Sequence, residues 1–173
     1  MMKMLEAGGI PVLTDSLRQA DIDNPEGYYE LESVKTLGKG EVNWLNDAEG
    51  HAIKIISALL VHLPVEYTYR VIFMQRDMQE IIESQRRMLI RRDVPPNADD
   101  DSHLPALYAK HLAKVSRWVS EQPNFTAHTV DYNSLVKGDS PAAIQKIIDF
   151  LQRPMDMTKM QQAITPSLYR NRS

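Results

Sequence analysis

Residues 69–89 read YRVIFMQRDMQEIIESQRRML, and this stretch decides the fold. Its opening, YRVIFM over 69–74, is almost continuously apolar and rich in β-branched and aromatic side chains. That is the pattern of a strand buried on both faces, as in a parallel sheet. Asp77 then opens a helix predicted over 77–92. It stands at the N-cap with Glu80 three residues on, the spacing of a capping box. Met78, Ile81, Ile82, Gln85 and Leu89 recur along one side at helical spacing. A strand running directly into an amphipathic helix is the repeating unit of α/β proteins.

Working outward, residues 52–57 (AIKIIS) read as a second short strand and 125–130 (FTAHTV) as a third. Helices are predicted over 103–121, 141–152 and 156–164. The first of these carries a stripe of Leu104, Leu107, Tyr108, His111, Leu112, Val115, Trp118 and Val119. Strands alternating with helices predict an α/β fold with three layers, a mostly parallel sheet covered on both faces. Residues 1–7 are helical by composition, ended by Gly8-Gly9 and blocked by Pro11. Thr14 or Asp15 could cap a brief helix through Ala20. Asn24-Pro25 and Glu26-Gly27 mark a loop, and 30–37 is expected to be helical. Residues 38–50 read as irregular with Trp44-Leu45 as an apolar anchor, and 58–62 as a helical turn. The polar segment 93–102 reads either as a mobile lid or as a connection between helices.

The chain has 173 residues, the length of a single domain over 1–173. Hydrophobic residues make up 43% and charged residues 25%, with a formal charge of −3, so a coat for nucleic acid or anionic membrane is not expected. The absence of cysteine excludes disulfides, thiolate metal sites and cysteine nucleophiles. No stretch reads as a membrane span or a signal peptide, so a cytoplasmic location is the default expectation. The five histidines show no metal-ligand spacing, and no metal is expected.

Arg76 falls just past the carboxyl end of a buried strand, where open α/β sheets bind ligands. Ser84 is nearly two helical turns beyond Asp77 and returns to the same face. Arg76 and Ser84 could grip one anion; alternatively each is paired locally. Arg170 and Arg172 flank a basic tail beside Tyr169 and suit a nucleotide phosphate, or are a frayed terminus. Lys54 lies inside an apolar strand pattern and either neutralises charge in a cleft or snorkels to solvent. Asp15, Glu30 and Glu32 are candidate general bases for an attacking hydroxyl. His111 reads as a hydrogen-bonded core histidine and His128 as structural.

The order of KMLEAGGIPVLTD, DNPEGYYELE, AIKIIS, YRVIFMQRDMQEIIESQRRML, VDYNSL and PSLYRNR resembles the bacterial sulfotransferase-like branch of the P-loop superfamily over nearly the whole chain. The resemblance implies a nucleotide donor, 3′-phosphoadenylyl sulfate, or its product adenosine 3′,5′-bisphosphate. It implies that Arg76 and Ser84 hold the donor's 3′-phosphate, with Arg170 and Arg172 completing the site. Lys54 matches the family's catalytic lysine, whereas Ile56 occupies its histidine position; Asp15 and Glu30 remain the candidates for the acceptor base. The family's first strand and Gly-rich phosphate loop would precede Met1, so the expectation is an incomplete domain whose natural start lies upstream. The expected activity is sulfuryl transfer to an acceptor once that loop is present. Two alternatives stay open. One is a non-catalytic nucleotide- or protein-binding chain that forms a homodimer through its uncovered sheet. The other is a small kinase of the same superfamily.

Overall fold

The computed structural model describes residues 1–173 apart from 16, 22, 23, 25, 26, 92, 94–97, 139 and 166–173. Its regular elements are helix α1 (Met2–Ala7), strand β1 (Tyr69–Gln75), helices α2 (Met78–Arg91) and α3 (Ala98–Glu121), strand β2 (Phe125–Asp131), and helices α4 (Tyr132–Lys137), α5 (Ser140–Leu151) and α6 (Met157–Gln162). Three 3-10 segments, Glu32–Lys39, Asn43–Asp47 and Ser57–His62, fill the first third.

β1 and β2 pair in parallel, with Tyr69 opposite Phe125 and Gln75 opposite Asp131. The connection between them runs through α2 and α3, the helical crossover that a parallel pair requires. Side chains of β1 alternate between two cores. Ile72 faces one, built on Met4, Leu5, Ile10, Val130, Leu135, Ile144, Ile147 and Met160. Tyr69, Val71 and Phe73 face the other, built on Val34, Leu37, Leu45, Leu60, Leu63, Val115, Val119 and Phe125. The chain is therefore α/β, with a small parallel sheet between two apolar layers. Ile144, Ile147 and Met160 have no exposed surface, and each such side chain contributes about 1.5–3 kcal/mol by leaving water.

α1 ends where Gly9 adopts φ +103°, a conformation that favours glycine. Gly8 is needed for a different reason. A Cβ there would come 2.7 Å from Met160 Cγ and 2.8 Å from Met155 Cε, so a side chain at Gly8 would force these methionines to shift where α1 packs on α6.

Several sequence expectations are corrected. Residues 52–57 do not form a strand. Val12 makes a single parallel bridge with Ala52, and a 3-10 turn begins at Ser57. Still, Ile53 and Ile55 pack against one core and Ala52 against the other, so the side chains keep a strand's alternation without its ladder. The sheet consequently has two strands among the described residues, not three. The described residues of 14–20 are not helical. Asp15 instead accepts a hydrogen bond from the Leu17 N–H at 3.0 Å, a local side-chain turn that competes with helix. The helix expected from His103 begins at Ala98 and carries Pro105 within it, at the cost of one intrahelical bond. Residues 98–102 of the segment 93–102 are thus helix, and residues 94–97 lie outside the described residues.

Candidate functional site

The chemistry-bearing residues named from sequence fall into two clusters. The first is the turn from β1 into α2. Asp77 caps α2, its Oδ1 accepting from the Gln79 N–H at 2.8 Å and the Glu80 N–H at 3.2 Å. The cap forces Glu80 onto the first turn, and Glu80 does not stay in water. Its side chain is 3% exposed, and its Oε2 accepts from Arg76 Nε at 2.9 Å. The Arg76 guanidinium also lies 4.9 Å from the centre of the Tyr132 ring, at the carboxyl end of β2. Arg76 is therefore fixed on one edge by a carboxylate and on one face by an aromatic ring. A guanidinium carries N–H donors in a fixed fork, the shape that matches a carboxylate or a phosphate. Ser84 stands half-buried one turn beyond Glu80 on the same side of α2.

Electrostatically, the Arg76–Glu80 pair is neutral as a unit. A phosphate placed there gains directed hydrogen bonds but little net Coulomb attraction, so a further cation is needed for tight binding. Arg170 and Arg172, the sequence candidates for that part, lie outside the described residues.

The second cluster gathers Lys54, Glu30 and Asp15, the three residues proposed as catalytic. Lys54 Nζ donates to the Tyr28 carbonyl at 3.0 Å and lies 3.4 Å from Glu30 Oε1. Arg18 Nη1 donates to that same Glu30 oxygen at 3.1 Å. The Arg18 guanidinium also stacks on the Tyr28 ring, 3.4 Å from its centroid, and Tyr28 Oη donates to Asp21. Burial, followed by the bond to Asp21, pushes the Tyr28 hydroxyl above its ordinary pKa.

Asp15 joins the cluster through the backbone. Its N–H donates to the Glu30 carbonyl at 3.3 Å, and its carboxylate accepts from the Glu32 and Leu17 N–H groups. Those backbone bonds hold its carboxyl below the usual carboxylate range. Asp15 is therefore a poor general base: its carboxylate ties residues 15–17 to the start of the Glu32–Lys39 segment. Glu30 Oε1 is shared between two cations, Arg18 and Lys54.

Sequence reading missed Arg18, Asp21 and Tyr28, which sit in a loop with no periodic signal. Glu80 was legible, since Arg76 and Glu80 are four residues apart, but it was read only as a capping residue. His111 is hydrogen-bonded as expected, with Nε2 2.9 Å from Ser57 Oγ, but it is half-buried and not part of either core. His128 lies against the Phe150 ring at 5.4 Å. Among the described residues no group of three or more acids and histidines could hold a metal ion, and no helix is long and apolar enough to cross a membrane.

Comparison with known proteins finds no matching family model, no similar curated protein and no similar solved structure.

Proposed function

We propose that this chain is a sulfotransferase-like domain of the P-loop class, built to bind 3′-phosphoadenylyl sulfate through its 3′-phosphate. The observation that carries the reading is the position of Arg76. It leaves the carboxyl end of a parallel strand and is oriented by the buried Glu80, with Ser84 one turn further along α2. Carboxyl ends of parallel strands are where α/β sheets take ligands, and a pre-oriented guanidinium beside a hydroxyl suits a phosphate monoester. In this reading Lys54, steadied by Glu30 and the Tyr28 carbonyl, supplies positive charge for the phosphate that leaves when sulfuryl is transferred.

Calorimetric titration with adenosine 3′,5′-bisphosphate tests it. The chain should bind the bisphosphate saturably, and about tenfold more tightly than adenosine 5′-monophosphate, which lacks the phosphate assigned to Arg76. Arg76→Lys keeps the charge but loses the fork, and should erase that preference. Equal affinity for the two nucleotides would overturn the reading.

A second reading, a nucleotide-binding chain that dimerises through its sheet, rests on the extended segment beside Ala52, which has strand-like alternation and only one bridge. A sedimentation run showing a monomer at all concentrations would remove it.

A further inference from the structure

The methionines of this chain are not spread evenly. There are nine. Five of them, Met1, Met4, Met155, Met157 and Met160, pack in the core shared by α1, α5 and α6, whereas the other core includes none among the described residues. The five differ in how far they meet water. Met4 is 2% exposed and Met160 0%, while Met155 and Met157 are half-buried.

Met155 stands in the link between α5 and α6, against the end of α1. Its Cε lies 2.8 Å from the point that a Cβ on Gly8 would occupy, and Met160 Sδ lies 2.9 Å from the same point. The two thioethers fill the place that Gly8 leaves empty, and the Met155 methyl touches the Gly8 backbone. The link is pinned at the same spot, because the Asp156 N–H donates to the Gly8 carbonyl at 3.1 Å. Here the start of α6 is held to the end of α1 by a backbone hydrogen bond and by thioether packing.

The N–H groups around that contact are already engaged. Gly8 donates to Met4, Gly9 to Glu6 and Ile10 to Leu5, each to a backbone carbonyl at 3.0 Å, and Asp156 donates to Gly8. Pro154, beside Met155, has no N–H. A new acceptor on Met155 finds no free donor among these groups, and a polar atom that leaves water without a partner is destabilising.

We infer that Met155 is a site of reversible sulfoxidation that governs the docking of α6 on α1, with a peroxide as the oxidant. The Sδ lone pair attacks one oxygen of hydrogen peroxide and forms an S–O bond as the O–O bond breaks. Sulfur is oxidised by two electrons and the peroxide is reduced by two. The departing hydroxide takes the proton of the transferred oxygen and leaves as water. The product replaces an apolar thioether with a polar sulfoxide. Its oxygen is satisfied only by turning to water, which withdraws the methyl from Gly8 and loosens the start of α6. Met4 and Met160 are shielded from the oxidant until that happens. The site is independent of the nucleotide reading above.

The test is treatment of the chain with hydrogen peroxide, followed by peptide mass mapping and brief trypsin digestion. Met155 sulfoxide should form before that of Met4 or Met160. Cleavage after Lys159, at the bond to the buried Met160, should rise about tenfold as Met155 is converted, because trypsin reaches that bond only when α6 opens. Met74, 40% exposed on β1, is the internal control, and its oxidation should leave that rate alone. Met155→Leu, a swap of similar volume, should keep the untreated rate within about threefold and abolish the response. Methionine sulfoxide reductases for both epimers should return the treated chain to its starting rate. Four results would each overturn the inference: Met155 oxidised no sooner than Met160, an unchanged rate with Met155 fully converted, no recovery with the reductases, or an undiminished response in Met155→Leu. The last would assign the effect to another methionine. The first three are read on the unsubstituted chain and decide the matter whether or not Met155→Leu folds.

Discussion

Arg76–Glu80 and Lys54–Glu30 are both cation–carboxylate contacts, and they differ in almost everything else. Glu80 is 3% exposed and sits under the first turn of α2, whereas Glu30 and Lys54 are about a third or more exposed and reach each other across loops. Burial changes what such a pair means. In water the gain from pairing nearly cancels against side-chain ordering and salt screening. Under a helix, the carboxylate has already lost its water, and the guanidinium beside it is what makes that position tolerable. A cation held this way is oriented before any ligand arrives, whereas Lys54 is held at an exposed contact across loops.

The largest effect that could break this contrast is Arg76→Ala. It strips the guanidinium from a buried carboxylate and should cost about 3 kcal/mol in urea unfolding, the low end for a buried pair because Arg76 is itself 26% exposed. Adding Glu80→Gln to Arg76→Ala should recover most of the loss, since a neutral amide tolerates burial better than an uncompensated charge. If Arg76→Ala unfolds at the wild-type midpoint, the pair is not the buried anchor described.

A smaller effect is expected from Glu30→Gln, which releases both Arg18 and Lys54 from one oxygen. Stability should change by less than about 1 kcal/mol, and the change should vanish in about 1 M salt, where charges are screened within about 3 Å. The Arg76→Ala loss should survive the same salt. Equal salt sensitivity for the two substitutions would erase the distinction between them.

How much of this was legible beforehand follows the same division between local and distant causes. The unit from Tyr69 to Arg91 could be read because its signals are local: an apolar run, a capping aspartate and a helical stripe. β2 and α5 were legible for the same reason. Residues 52–57 were not, because a strand exists only when a neighbour supplies its hydrogen bonds. AIKIIS carries strand-like side chains, yet its described partner is a single bridge from Val12. Lys54 and Glu30 could each be named from type and setting, but their meeting depends on loop residues Arg18 and Tyr28, whose positions no periodicity encodes. The anchoring of Arg76 by Glu80 lay within one helical turn and was hidden only by the second role of Glu80 in the cap.

The smallest predicted effect concerns Asp15, which links the exposed cluster to the backbone. Hydrogen bonds from the Glu32 and Leu17 N–H groups depress its folded pKa below the ordinary 3.8. The sign follows from proton counting. Below about pH 4 the unfolded chain binds this proton more readily than the folded one, so stability falls as pH falls through the folded value. Above the unfolded pKa, the contribution is fully present. Asp15→Asn removes the titrating proton and one acceptor oxygen. It should lower stability at neutral pH and flatten the acid limb of the urea midpoint against pH. Asp131 and Asp156, held low by Ser134 and Lys159 N–H groups respectively, keep part of that limb. An acid limb as steep in Asp15→Asn as in the wild type would show that Asp15 does not hold the loop to the Glu32–Lys39 segment. The exposed cluster would then be looser than the contrast with Arg76 and Glu80 already makes it.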